Sequence, residues 1–321
     1  MTETASRAWT RDVLDGFEQT TLVLPDSWDG PVEAVVVRRV TGLTSGGAVL
    51  YVHGFGDYFF QSHLADYFEK QGLRFYAVDL RRHGRALREH QRPNTCRSID
   101  EYVEDIDAAV QLLVREEGVT WLLLNGHSTG GLAGAIQAHR GEQRRSIAAV
   151  YLNSPFLDMN LPAWQEALVE PFLSAVGGVL PNLDIPGLSA LYGDSIHESR
   201  NGSWAFDLTW KPLAGFPAKA GWIRAIHLAQ REVEDGLSIQ APVLVLHAER
   251  SLRPKKWSDD LLRADIVLDV DDIARLAPML GPNVEVDAVP DGIHDLALAA
   301  DGPRETAFRM VTDWLARVRQ D

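Results

Sequence analysis

One cysteine, Cys96, stands among 321 residues. No internal disulfide and no cysteine-built zinc site can be made from it, and it reads as a small, semi-buried thiol in a protein of the reducing cytoplasm. Positive charge is also scarce: 31 Lys and Arg face 45 Asp and Glu, and the formal net charge of -14 repels the phosphate backbone that nucleic-acid binders embrace. Long apolar runs are missing. The longest stretch free of charged side chains, Gly118 to His139, is broken by Asn125, Ser128, Thr129, Gln137 and several glycines, which excludes a transmembrane segment there. Met1 to Asp12 has no apolar stretch of the secretory kind. Nucleotide and zinc signatures fail as well. Phe59 occupies the third glycine position of a dinucleotide fingerprint starting at Gly54, no phosphate-loop Gly-Lys-Ser/Thr occurs, and no His-Glu-x-x-His is found. No cofactor or metal is implied.

The composition that remains, 45% hydrophobic and 24% charged, is that of a globular protein with one large domain or two smaller ones. Apolar, β-rich runs recur at Val32 to Val40, Ala48 to His53, Leu73 to Asp79, Val119 to Leu124, Ala148 to Asn153, Val243 to His247 and Val284 to Val289. Helical periodicity separates them. It is clearest from Ile99 to Glu116, where Ile99, Val103, Ile106, Val110, Leu113 and Val114 share a face and Ser98-x-x-Glu101 offers a capping box. Strands alternating with helices predict a mostly parallel central sheet covered by helices. The alternation stops between Ser154 and about Gly236, a stretch rich in Pro, Gly and aromatics that holds Trp164, Trp204, Trp210 and Trp222. This reads as a mainly helical cap inserted after a central strand, dividing the chain into core (1–153), cap (154–236) and core again (237–321). The basic stretch Arg81 to Arg92 reads as a solvated loop.

Gly126-His127-Ser128-Thr129-Gly130 lies between an apolar strand and a helix expected to start near Thr129. A nucleophilic serine on a sharp strand-to-helix turn needs glycines two residues away on either side, so that the turn closes without Cβ clashes. Its hydroxyl then needs a base, and in this arrangement carboxylate and histidine follow the serine in that order. His197 and His227 fall in the cap and His247 inside a strand, which leaves His294, on the loop after the last strand. The carboxylate that would orient it belongs on the loop after Val243 to His247, where Glu249, Asp259, Asp260, Asp265, Asp269, Asp271 and Asp272 all qualify. The oxyanion of acyl transfer needs two backbone donors. The amide of Thr129, after the serine, is one, and the loop His53-Gly54-Phe55-Gly56-Asp57 supplies the other through Phe55.

These segments together resemble the α/β-hydrolase family, and within it the monoacylglycerol lipase and lysophospholipase-like branch. The likeness rests on Tyr51-Val52-His53-Gly54-Phe55-Gly56, Val78-Asp79-Leu80-Arg81-Arg82-His83-Gly84-Arg85, the serine motif, Leu152-Asn153-Ser154-Pro155, Pro242 to His247 and Gly292-Ile293-His294-Asp295. It implies the α/β-hydrolase fold and hydrolysis of fatty acyl esters. Relatives carry their acid a few residues after the strand ending near His247, where this chain has Ser251. Asp265-Ile266-Val267-Leu268-Asp269 looks like the displaced segment, with Glu249 to Ala264 inserted before it, so the resemblance points to Asp265 ahead of Asp269 and then Glu249. Arg82 stands where relatives usually have Gly. The expected activity is therefore that of a cytoplasmic serine hydrolase acting on a small-molecule acyl ester, with Ser128, His294 and Asp265 as triad. Transient contact with a membrane surface is compatible with an apolar cap. Carbon-carbon bond hydrolases and peptidases share this scaffold, and a non-catalytic ligand-binding protein could retain it.

Overall fold

The computed structural model describes residues 8–159, 176–185 and 190–319. Trp164, Glu166 and Glu170, in the segment expected to form a cap, lie outside them. Eleven strands are found among the described residues: β1 (Thr10–Arg11), β2 (Phe17–Val23), β3 (Glu33–Arg39), β4 (Gly47–Val52), β5 (Arg74–Asp79), β6 (Trp121–His127), β7 (Ile147–Asn153), β8 (Asp184–Ile185), β9 (Ala218–Lys219), β10 (Val243–Ala248) and β11 (Val284–Val289). Nine of them form one sheet in the order β1-β2-β3-β5-β4-β6-β7-β10-β11, and β8 pairs with β9 apart from it. The pairings from β5 through β11 are parallel, and those of β1, β2 and β3 are antiparallel.

Strand β4 illustrates why the sheet is buried on both sides. Ala48, Leu50 and Val52 join one apolar cluster and Val49 and Tyr51 the other, as the period of two requires. On the first face lie α2 (Asp100–Arg115) and α3 (Thr129–Arg140). The second is covered by α1 (Ser62–Lys70) and by the last helix, Asp301–Val318, through Leu64, Phe68, Val311 and Trp314. Between β7 and β10, α4 (Ala190–Ile196) and α5 (Ala220–Glu234) are described. Trp222, Ile226, Ala229 and Val233 of α5 belong to the first-face core, so this helix packs as a crossover between β7 and β10.

All seven strands expected from sequence are present, with β6 running on to His127. Strand β2 was not foreseen. Its buried residues are only Phe17, Thr20 and Leu22, in a sequence that is otherwise polar, and its pairing with β3 stabilises it. The capping box is also offset from the expected pattern. Ser98 Oγ accepts from the Asp100 amide and Glu101 Oε1 from the Arg97 amide, so α2 starts one residue later than Ile99. Cys96 is fully buried rather than semi-buried, and burial pushes its thiol well above the usual range.

The larger correction concerns Arg81 to Arg92. Arg81, Arg82 and Arg85 are 2%, 0% and 8% exposed, because each guanidinium has a buried or half-buried carboxylate waiting for it. Arg85 grips Asp12 through two bonds of 2.6 and 2.8 Å and reaches Asp79 at 2.9 Å. Arg81 pairs with Asp105, whose pKa is raised by burial, against the pull of Arg81, to about 6. Arg82 binds Asp29 and Glu101. Its φ of 64° falls in the left-handed region that favours glycine.

Removing one member of such a pair leaves charge buried without a partner. Arg85→Met is expected to lower stability in urea unfolding by about 3–5 kcal/mol, whereas a loss below about 1 kcal/mol would show that the pair behaves as an exposed one.

Candidate active site

Ser128 joins β6 to α3 with φ 52° and ψ −117°, a backbone state that costs a non-glycine residue about 1–3 kcal/mol. The turn closes because two side chains are missing. A Cβ on Gly126 would lie 2.5 Å from the Gly130 carbonyl oxygen, and one on Gly130 would lie 2.3 Å from that of His53. The Ser128 amide is held by the Asn153 carbonyl at 3.1 Å, which ties the turn to the end of β7.

Ser128 Oγ lies 3.0 Å from His294 Nε2, and His294 Nδ1 lies 2.8 Å from Asp265 Oδ2. All three residues are buried. A carboxylate that also accepts the Val267 and Leu268 amides on Oδ1 is an acceptor only, so Nδ1 carries the proton and donates it. Nε2 is then free to accept from the serine hydroxyl. Asp265 reaches this place because the chain from 253 to 264 loops out and returns: the Asp265 amide bonds the Arg250 carbonyl, the Leu252 amide bonds the Asp265 carbonyl, and Ser251 and Asp265 bridge as neighbours. The other carboxylates do other things. Asp269 caps the short helix Val270–Leu276 by accepting from the Asp271 amide and faces Arg253. Glu249, Asp259, Asp260 and Asp271 are exposed. His197 bonds Ser199 and His247 the Ala248 carbonyl.

The loop after β4 presses against the serine. A Cβ on Gly54 would lie 3.1 Å from that of Ser128, and the amides of Phe55 and Thr129 have no acceptor among the described residues.

Residues 44–252 match the family model described as serine aminopeptidase, S33. The chain belongs to this family. A monoacylglycerol lipase of Mycolicibacterium smegmatis is 29% identical over 209 residues, 64% of this chain and 70% of that one. Among solved structures, a monoglyceride lipase of Saccharomyces cerevisiae superposes with a TM-score of 0.68 at 17% identity, over 99% of this chain and 97% of that one. A monoacylglycerol lipase of Paleococcus ferrophilus gives 0.62 at 22%, over 85% and 95%. The fold is thus the α/β-hydrolase fold, and the protein is a hydrolase of the esterase- and lipase-like class.

In this hydrolase the sequence reading missed the groups that brace the histidine loop. Asn153 donates to Asp295 Oδ1 at 2.7 Å, accepts the Leu296 amide, and through its carbonyl holds both Ser128 and His127. Asp295 is buried. Burial raises its pKa, but the His127 ring, the Lys211 ammonium and bonds from Ala297 and Asn153 outweigh this and hold it below the usual carboxylate value. A lowered pKa contributes stability at neutral pH that is lost as pH falls through the folded-state value. The only hint in sequence was adjacency to His294. From the segment between β7 and β10, the Tyr192 ring stands edge-on to His294 at 5.6 Å, and Lys211 pairs with Asp57 at 2.7 Å. Phe55, Tyr192, Phe206, Lys211 and Phe216 line a pocket there.

Asn153→Ala removes a donor from a buried carboxylate. Urea unfolding at pH 7 should register a loss of about 1–3 kcal/mol, and unchanged stability would mean that water replaces the amide without cost.

Proposed function

We propose that the protein is a serine hydrolase of carboxylic esters with medium or long acyl chains, monoacylglycerol and lysophospholipid being the substrate types in view. The observation that carries this reading is the unbroken chain of bonds from Ser128 through His294 to Asp265, set on a strained strand-to-helix turn. Ser128 Oγ attacks the acyl carbon while His294 Nε2 takes its proton, and Asp265 keeps Nδ1 protonated and steadies the imidazolium. The oxyanion settles between the amides of Phe55 and Thr129, the latter in the first turn of α3. Collapse expels the alcohol, which takes the proton from His294. Water activated by the same histidine then releases the acid.

Two features support the acyl preference. The three relatives named above are monoacylglycerol or monoglyceride lipases, and Phe55, Tyr192, Phe206 and Phe216 give the pocket part of its wall, with Trp222 packed on Phe55 at 4.2 Å between ring centroids. The aminopeptidase description of the family favours a second reading, in which a carboxylate binds a peptide ammonium. Against it, Asp57 is neutralised by Lys211, and exposed Asp207 accepts the Thr209 amide.

Steady-state hydrolysis of nitrophenyl esters from acetyl to palmitoyl is expected to rise with chain length and to vanish in Ser128→Ala. Asp265→Asn should lower kcat by about 10⁴, and Asp269→Asn should leave it within about twofold. Equal turnover in parent and Ser128→Ala, or release of amino acids from peptides without ester turnover, would reject the reading.

A further inference from the structure

His53 is fully buried beside the site and touches neither Ser128 nor His294 by any hydrogen bond. Its two ring nitrogens are both engaged. Nδ1 lies 2.8 Å from the Gly54 carbonyl oxygen, and Nε2 lies 3.1 Å from the Leu80 amide. A carbonyl can only accept and an amide N–H can only donate, so the ring is neutral, with its proton on Nδ1. The Leu80 amide thereby selects the tautomer that binds Gly54.

The bond to Gly54 has a consequence one atom pair away. The Gly54 carbonyl and the Phe55 N–H belong to one peptide unit, no peptide bond among the described residues is cis, and in a trans unit the two point in opposite directions. Rotation of that plane would carry the Phe55 N–H away from Ser128 and turn a carbonyl dipole toward the developing oxyanion. Glycine on one side and a second glycine after Phe55 leave the loop little side-chain resistance to such a flip. We infer that His53 is a positioning residue which, by holding the Gly54 carbonyl, keeps the Phe55 amide aimed at the oxyanion position. Around it the support is dense: the His83 ring packs at 4.9 Å and Tyr102 packs on His83 at 5.6 Å. His83 Nδ1 is itself bound to the Arg81 carbonyl, so the ring beneath His53 is fixed by the same loop that carries Leu80.

The inference rests on the oxyanion role proposed for Phe55, and two substitutions separate it from that reading and from a merely structural role. The side-chain nitrogen of Asn can replace Nδ1 and donate to Gly54, whereas the side-chain oxygen of Gln can replace Nε2 and accept from Leu80. With nitrophenyl butyrate, parent activity that disappears in Ser128→Ala establishes the underlying reading, and its absence removes that reading and the inference with it. Given that activity, His53→Gln is expected to lose about 10²-fold or more in kcat, the usual consequence of losing an oxyanion donor, with KM within about threefold. His53→Asn should retain kcat within about tenfold of the parent. Gln retaining parental kcat, or Asn and Gln falling together in kcat and in melting temperature, would overturn the role of His53 while leaving the serine mechanism standing.

Discussion

Two backbone approaches that tolerate no side chain, and a third that would crowd one, hold this site together. Gly126 meets Gly130, Gly130 meets the carbonyls of Val52 and His53, and Gly54 meets Ser128. The ends of β4 and β6, adjacent parallel strands, are thereby drawn within van der Waals contact, and the loop after β4 comes to face the first turn of α3. Without that closeness, two amides from segments about 75 residues apart could not address one atom. The strain at Ser128 follows from the same constraint. Its turn must be sharp enough to bring Oγ to His294 Nε2, and the packing of the glycines against β4 holds it there.

Charge is used in the same way, to fix loops at the ends of strands. Asp79, at the end of β5, accepts the amides of Phe59 and Arg85 as well as the Arg85 guanidinium, so one carboxylate ties the segment beyond the β4 loop to the segment beyond β5. Asp295 does the corresponding task for the histidine loop through Asn153 and Ala297. Lys211 and Asp57 link the segment between β7 and β10 to the loop after β4, and Trp204 and Asp207 add bonds to Leu298 and Tyr58. Buried ions of this kind contribute less to net stability than to a single arrangement of the loops, since desolvation offsets most of their attraction.

How much of this was legible in the sequence depended on how local each signal is. Ser128 and His294 were legible because glycines and strand endings within a few residues mark them. Asp265 was hidden from spacing by the loop 253–264, and only the likeness of its segment to a family pattern singled it out. The burial of Arg81, Arg82 and Arg85 was not legible, since it depends on Asp105, Asp29 and Asp12, which lie 24, 53 and 73 residues away. A basic run alone carries the signature of a solvated loop. Strand β2 was missed for a related reason, its polar residues being stabilised by pairing along β3 rather than by their own pattern. Asn153 read as the last residue of a strand, and nothing near it announced that it serves two loops at once.

The central claim is that Ser128 is the activated nucleophile. Intact-mass and peptide mass spectrometry after brief treatment with an alkyl fluorophosphonate tests it without assuming a substrate. One phosphonyl group per chain is expected, located on the peptide that contains Ser128, with labelling slowed by several orders of magnitude in His294→Ala. Labelling on another residue, or at a rate indifferent to His294, would contradict it.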